Sequence, residues 1–309
     1  MSTIPCCEFH FTSADGVRVA CARWVSRGPA RGVVQIAHGM GEHIGRYLGV
    51  IDCLRSAGFT IYGNDHRGHG RTAACIARLG DFGEGGFELL VADMVRLSRI
   101  ARQENPEAPL ILLGHSMGSF AAQRCVLDHS CEIDGLVLSG SGALDGLARI
   151  VKSAPAGVNI LNARFEPART PFDWLTRDRA VVDAFIADPL CFAQLQPASA
   201  ASFLAAARHL SDPALLRNIR RDLPIYLFSG SEDPVGQQLE GVRTLMGRYW
   251  QAGIRAISAD FYPGGRHEML NEVNRDEVRA RLLGWIGARV EGRVWLETGS
   301  PSVQDYSLR

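Results

Sequence analysis

The chain has no net charge: 33 Lys and Arg residues balance 33 Asp and Glu. A surface without excess of either sign gives no electrostatic reason to expect a nucleic-acid partner. The basic residues are almost all arginine and are scattered, as on solvated helix faces. No apolar run approaches the ~18 residues that a bilayer span needs. The opening MSTIPCCEFHF lacks a charged segment followed by an apolar one, so no signal peptide is expected. None of the eight cysteines forms a C-x-x-C pair, and no Cys/His set has zinc-finger spacing. Buried free thiols in a reduced, cytoplasmic setting are the expectation, with no metal site. P-loop, H-E-x-x-H and EF-hand patterns are absent, and no cofactor is expected. A hydrophobic share of 46% against 21% charged residues excludes whole-chain disorder.

What is present is a change of rhythm near Gly32. Before it, Glu8–Thr12 and Val17–Trp24 read as two strands joined at the turn Ala14-Asp15-Gly16. After it, short solid apolar runs alternate with helical periods. The runs are Val33–Ala37, Thr60–Gly63, Leu110–Leu113, Leu136–Ser139, Ile225–Ser229 and Ile257–Tyr262. The helical segments are Ile44–Ala57, Phe87–Glu104, Ser116–Leu127, Leu239–Ala252 and Val273–Ile286. Apolar strands separated by helices predict a mostly parallel, doubly wound α/β sheet, buried on both faces, with an antiparallel start.

The alternation fails between Leu144 and Arg217. There the sequence has helical pieces at Leu147–Ser153, Arg179–Ile186 and Ser199–His209, six prolines and no strand. Such a stretch is too long for a structureless connection and predicts a helical cap over the C-terminal edge of the sheet. The expected division is residues 1–143 and 218–309 for the core and 144–217 for the cap. The tail after Glu291 is expected to be loosely ordered.

Gly114-His115-Ser116-Met117-Gly118 follows the run Leu110–Leu113 and opens a helical segment. A G-x-S-x-G between strand and helix forms a tight turn that lifts the serine hydroxyl above the sheet edge. The helix N-terminus favours negative charge developing there. A serine hydroxyl is a weak nucleophile and needs a base oriented by a third group. On this strand–helix pattern the partners come in the order Ser, Asp or Glu, His. Of the nine histidines, His129, His209 and His267 lie well beyond Ser116, and His267 alone follows the last strand. The acid should follow Ile225–Ser229, where Glu232 and Asp233 are both available. Asp233, in a G-x-x-D loop before Pro234, is preferred, with Glu232 kept as the alternative. Backbone N–H groups of Met117 and of Met40, the latter in the loop after Val33–Ala37, are the natural donors to an oxyanion. The spacing Gly39-x-Gly41-x-x-x-Gly45 imitates a dinucleotide fingerprint but is one residue too long.

Three blocks carry a family resemblance: His38-Gly-Met-Gly-Glu-His43-Ile-Gly-Arg-Tyr47, Asn64-Asp-His-Arg-Gly-His-Gly70 and Gly114-His-Ser-Met-Gly118. Together they resemble the monoacylglycerol lipase/lysophospholipase-like (serine aminopeptidase S33-type) branch of the α/β-hydrolases, over roughly residues 8–290 and least in the cap. The resemblance implies the α/β-hydrolase fold with an inserted cap and carboxylic-ester hydrolysis, with lipid-like esters as substrates. It implies Ser116, Asp233 and His267 as triad and Met40 and Met117 as oxyanion donors. It places His38, Gly39, Glu42, His43 and His115 around them. Glu42 and His43 resemble a pair that shapes the oxyanion loop, a capping role at Ile44 being the alternative. Asp65, His66 and His69 are expected to hold a turn.

The expected partner is a small-molecule ester, with any lipid or membrane contact made through the cap. Three other functions use the same residues. A peptidase or amidase would need buried acids for a free N-terminus, for which Asp173, Asp178, Asp183 and Asp188 are available although solvated faces suit them better. An acyltransferase would let an alcohol outcompete water. A non-catalytic binding protein would have no reason to keep all three triad groups.

Overall fold

The computed structural model describes residues 4–154 and 159–292. The expected loose tail after Glu291 thus lies, apart from Gly292, outside the described residues. Eight strands form one sheet: β1 (Cys7–Thr12), β2 (Arg18–Trp24), β3 (Gly32–Ala37), β4 (Phe59–Asn64), β5 (Leu110–His115), β6 (Gly135–Ser139), β7 (Ile225–Gly230) and β8 (Ile257–Tyr262). Their order is β1-β2-β4-β3-β5-β6-β7-β8. The pairs β1–β2 and β2–β4 are antiparallel and all later pairs parallel. Every residue of β3, β4, β5, β6 and β7 is buried, which explains their solid apolar runs.

Helices cover both faces. One face carries α1 (Leu48–Ser56) and α10 (Arg275–Val290), which pack on each other. The other carries α2 (Gly86–Glu104), α3 (Met117–His129) and α9 (Glu240–Gln251). From β3 the chain crosses to β4 on one side, then to β5 on the other, so the strand order reverses between β3 and β5. A crevice opens at the C-terminal ends of two such strands, where no crossover fills the space. Ala37 and His115 end those strands, and the segments His38–Gly41 and Ser116–Gly118 therefore meet there.

Between β6 and β7 lie α4 (Leu144–Ser153), α5 (Arg179–Ala187), α6 (Pro197–Ala205), α7 (Ala207–Leu210) and α8 (Pro213–Leu216), with no strand among the described residues. Several expected boundaries move for local reasons. The α-helix after β3 begins at Leu48, because Ile44–Tyr47 is a 3₁₀ turn whose first amides bond to Asp65 Oδ1 and His43 Nδ1. The segment Ser199–His209 breaks at Ala206 into α6 and α7, and α6 starts with Pro197 in its first turn. Leu239 is left-handed at φ 76° and caps α9 instead of joining it. All eight cysteines are free, but Cys6, Cys7, Cys75 and Cys131 are exposed, so burial holds for Cys21 and Cys125, whose thiols it pushes up to about 12. No helix among the described residues is long and apolar enough to cross a membrane.

The crossing of α3 over β3 depends on Gly118. A Cβ built there would lie 2.2 Å from the Ala37 carbonyl oxygen and 2.5 Å from that of His38. Gly118→Ala should therefore destabilise the fold by about 1–3 kcal/mol, because rigid backbone must shift. Gly247 in α9 has nothing within 4 Å of such a Cβ. Gly247→Ala should stabilise by up to ~1 kcal/mol through helix propensity. Urea midpoints of the two variants should move in opposite directions.

Candidate active site

Ser116 caps α3 with φ 52° and ψ −122°, a conformation costing roughly 1–3 kcal/mol for a non-glycine residue. The surroundings over-determine it. Its N–H donates to the Ser139 carbonyl at 2.9 Å, and its own carbonyl accepts Ser119 N–H at 2.8 Å and Ser119 Oγ–H at 2.6 Å. A Cβ at Gly114 would lie 2.5 Å from the Gly118 carbonyl oxygen, so this turn admits only glycine there. Ser116 is half-buried and lines a small cavity of about 30 Å³. Met117 N–H opens α3 and has no acceptor within the helix.

The loop after β3 is clamped around Gly39. His38 is fully buried, and its Nε2 accepts His66 N–H at 2.9 Å. The ring hydrogen must then sit on Nδ1, which donates to the Gly39 carbonyl at 2.8 Å. Burial holds His38 below the ordinary histidine value, hence neutral. Gly39 N–H donates to Glu42 Oε1 at 2.6 Å. Gly41 at φ 71° accepts Phe192 N–H at 3.0 Å. Gly39 and Met40 line the cavity of Ser116.

Asp233 follows β7 and His267 follows β8. Gly230 lets the two loops touch, since a Cβ there would lie 2.1 Å from the Gly265 carbonyl oxygen. His267 Nδ1 is 2.9 Å from Asp233 Oδ1, which also accepts Val235 N–H at 2.9 Å. Both residues are buried, at 2% and 0% exposure, so this ion pair is shielded from solvent. Burial works against charge on His267, but the Asp233 carboxylate and its hydrogen bond overcome this and raise its pKa above the ordinary 6.5. Glu232 instead turns to Arg164 at 3.3 Å. His115 packs 4.7 Å from the His267 ring, and burial together with that neighbour pushes it down to about 4.

Glu42 binds the Gly39 amide in the loop after β3, whereas His43 makes its bonds elsewhere. Its Nδ1 accepts Gly45 N–H and its Nε2 faces Asp188 at 2.9 Å. His43 therefore caps the 3₁₀ turn and ties it to Asp188 at the end of α5. Asp65 accepts Ile44 N–H at 3.0 Å and Arg71 N–H at 2.9 Å. His66 supports His38 through its backbone, while burial drives His69 down to about 3 beside Phe192.

Several residues at the site carried no assigned role. Arg46 donates to Glu42 Oε2 at 2.7 Å and bidentately to Glu268 at 2.7 and 2.8 Å. Its guanidinium lies 4.9 Å from the Phe185 ring. Burial penalises the Glu42 carboxylate, but Arg46, His115 and His38 outweigh this and lower it to about 2. The i, i+4 spacing of Glu42 and Arg46 was the one available signal. Phe172, Trp174, Leu175, Phe185 and Phe192 supply the apolar wall of the cavity. Their convergence is tertiary and has no local signature.

Asp173, Asp178, Asp183 and Asp188 line no part of the cavity. They pair with Thr170 and Arg169, Arg275, Arg169 and His43 respectively. Among the described residues, His43, Asp188 and Cys191 bring three donor atoms within 4.8 Å of one another. The Gly45 N–H on His43 Nδ1 places the ring hydrogen on Nε2. That nitrogen presents a hydrogen, not a lone pair, to the cluster.

The family model described as serine aminopeptidase, S33 matches residues 28–274. A monoacylglycerol lipase of Mycolicibacterium smegmatis is 31% identical over 281 residues, covering 90% of this chain and 96% of that protein. A monoglyceride lipase of Rattus norvegicus is 26% identical over 228 residues, 72% of each chain. The crystal structure of a thermostable carboxyl esterase from Bacillus coagulans, in complex with glycerol, superposes with a TM-score of 0.83 at 29% identity. That match covers 93% of this chain and 100% of the esterase.

Proposed function

Since the chain belongs to the serine aminopeptidase S33 family of α/β-hydrolases and is a carboxylic ester hydrolase, we propose that Ser116, His267 and Asp233 cleave monoacylglycerol- or lysophospholipid-type esters through an acyl-enzyme. His267 Nε2 takes the Ser116 proton as Oγ attacks the ester carbonyl. Asp233, bonded to Nδ1, fixes the ring and stabilises the imidazolium. Met40 and Met117 N–H groups donate to the oxyanion, each such donor being worth about 3–4 kcal/mol in the transition state. The imidazolium then protonates the leaving alcohol. Water repeats the sequence and releases the acid. Residues 144–217 act as the cap and supply most of the acyl wall.

The observation that carries this reading is the cavity over Ser116. Its wall is aromatic and aliphatic, and its two acids, Glu42 and Glu268, are both bound to Arg46. A carboxylate already paired and buried is not free to receive a peptide ammonium. The site therefore suits an uncharged acyl chain better than a free N-terminus. The test compares p-nitrophenyl esters of rising chain length and a monoacylglycerol with aminoacyl p-nitroanilides. Turnover of the esters, with medium chains favoured over acetate, is expected. Efficient anilide cleavage with ester turnover absent would overturn the proposal.

A further inference from the structure

The loop that carries His267 is fastened to the cap as well as to the sheet. We propose that Glu272 is a positioning residue that clasps the cap segment Trp174–Arg177 to the histidine loop, making that segment part of the base's support. The proposal rests on the assignment of His267 as base.

Glu272 is completely buried. Each of its oxygens takes two donors. Oε1 accepts Arg177 N–H at 3.1 Å and Arg266 N–H at 3.0 Å. Oε2 accepts Arg177 Nε–H at 3.0 Å and Val273 N–H at 2.8 Å. Two of these four bonds come from the cap and two from the segment after β8. The carboxylate cannot turn without stranding buried donors.

Further bonds run along the same seam. Glu268 N–H donates to the Leu175 carbonyl at 2.7 Å and His267 N–H to the Trp174 carbonyl at 3.4 Å. Arg266 Nη1 donates to the Asp173 carbonyl and, at 3.4 Å, to that of Thr176. The Trp174 ring lies 4.8 Å from the His267 ring. Lifting Trp174–Arg177 would thus pull on the residues that seat His267 against Asp233. The ionisable groups facing His267 are Asp233, Glu268, Glu42 and His115. Those facing Glu272 are Arg177 and Arg266, with Arg275 on its backbone carbonyl.

Glu272→Gln tests this. The amide keeps one accepting oxygen but turns an NH₂ toward two donors. A small displacement of His267 should lower kcat by roughly 10- to 100-fold, with KM changed far less. A looser Asp233 contact should also move the acidic limb of the kcat/KM profile to lower pH, because that contact is what raises His267. Arg177→Met removes the cap-side ion pair from a side chain 34% exposed, and should shift both quantities the same way by less. A folded Glu272→Gln enzyme with an unmoved acidic limb would overturn the clasp, whether or not its activity falls. If Glu272→Gln does not fold, an Arg177→Met enzyme with wild-type kcat and pH profile overturns it. Retained turnover in Ser116→Ala would instead remove the underlying chemistry, so the two failures are distinguishable.

Discussion

Ser116→Ala should lower kcat/KM on a medium-chain ester by about 10⁵- to 10⁶-fold while leaving the urea midpoint nearly unchanged or slightly altered. The size follows from what the hydroxyl does. Without it no acyl-enzyme forms, and His267 has no proton to take. What remains is the oxyanion site and the cavity wall, worth about 10³–10⁴ over water in comparable triads. The small stability effect follows from the turn, since Ser116 is held by its backbone N–H and carbonyl and these survive the substitution. Steady-state kinetics and unfolding on the same preparation check both halves. A variant within tenfold of wild type would exclude Ser116 as nucleophile.

Asp233→Asn should cost about 10⁴-fold in kcat, because an amide can hold His267 in the wrong tautomer and cannot balance the imidazolium. The effect has a pH signature. His267 must be neutral to act as base, so kcat/KM in the wild type should rise with pH through a midpoint above the ordinary 6.5. The Asp233 carboxylate favours the protonated ring and so raises that midpoint. Removing its charge takes away the largest influence favouring the charged ring and leaves burial opposed only by the Glu268 and Glu42 carboxylates. The acidic limb should then move to lower pH even as the plateau falls. A limb that stays in place would show that Asp233 does not face the titrating base.

Much of this arrangement was legible in the chain, for identifiable reasons. Leu110–Leu113 is solidly apolar because β5 is buried on both faces, and the glycines at 114 and 118 stand where any Cβ would strike backbone. The order of the later strands led to the segment after β8 and thus to His267. Boundaries set by side-chain contacts were not legible. The Ile44 turn depends on Asp65, which lies on the next strand's loop, and that contact exists only once the sheet has formed. The burial of cysteines was read from composition, yet Cys6, Cys7, Cys75 and Cys131 face solvent. The cavity wall was invisible for a different reason. Phe172, Trp174, Phe185 and Phe192 are scattered along the chain, only Phe185 on a helix, and converge through tertiary packing. Glu272 gave no signal either, since its four donors come from the distant Arg177, from Arg266 and from its own neighbour Val273.

The most direct test of the central claim is covalent. The purified protein should be treated with a fluorophosphonate and digested, and the modified peptide sequenced by mass spectrometry, beside Ser116→Ala and Gly247→Ala proteins handled identically. One label per chain on the peptide containing Gly114–Gly118, at Ser116, with none on Ser116→Ala and full labelling of Gly247→Ala, is the expected result. Labelling at another serine, or a folded and ester-hydrolysing protein that takes no label at Ser116, would contradict the account.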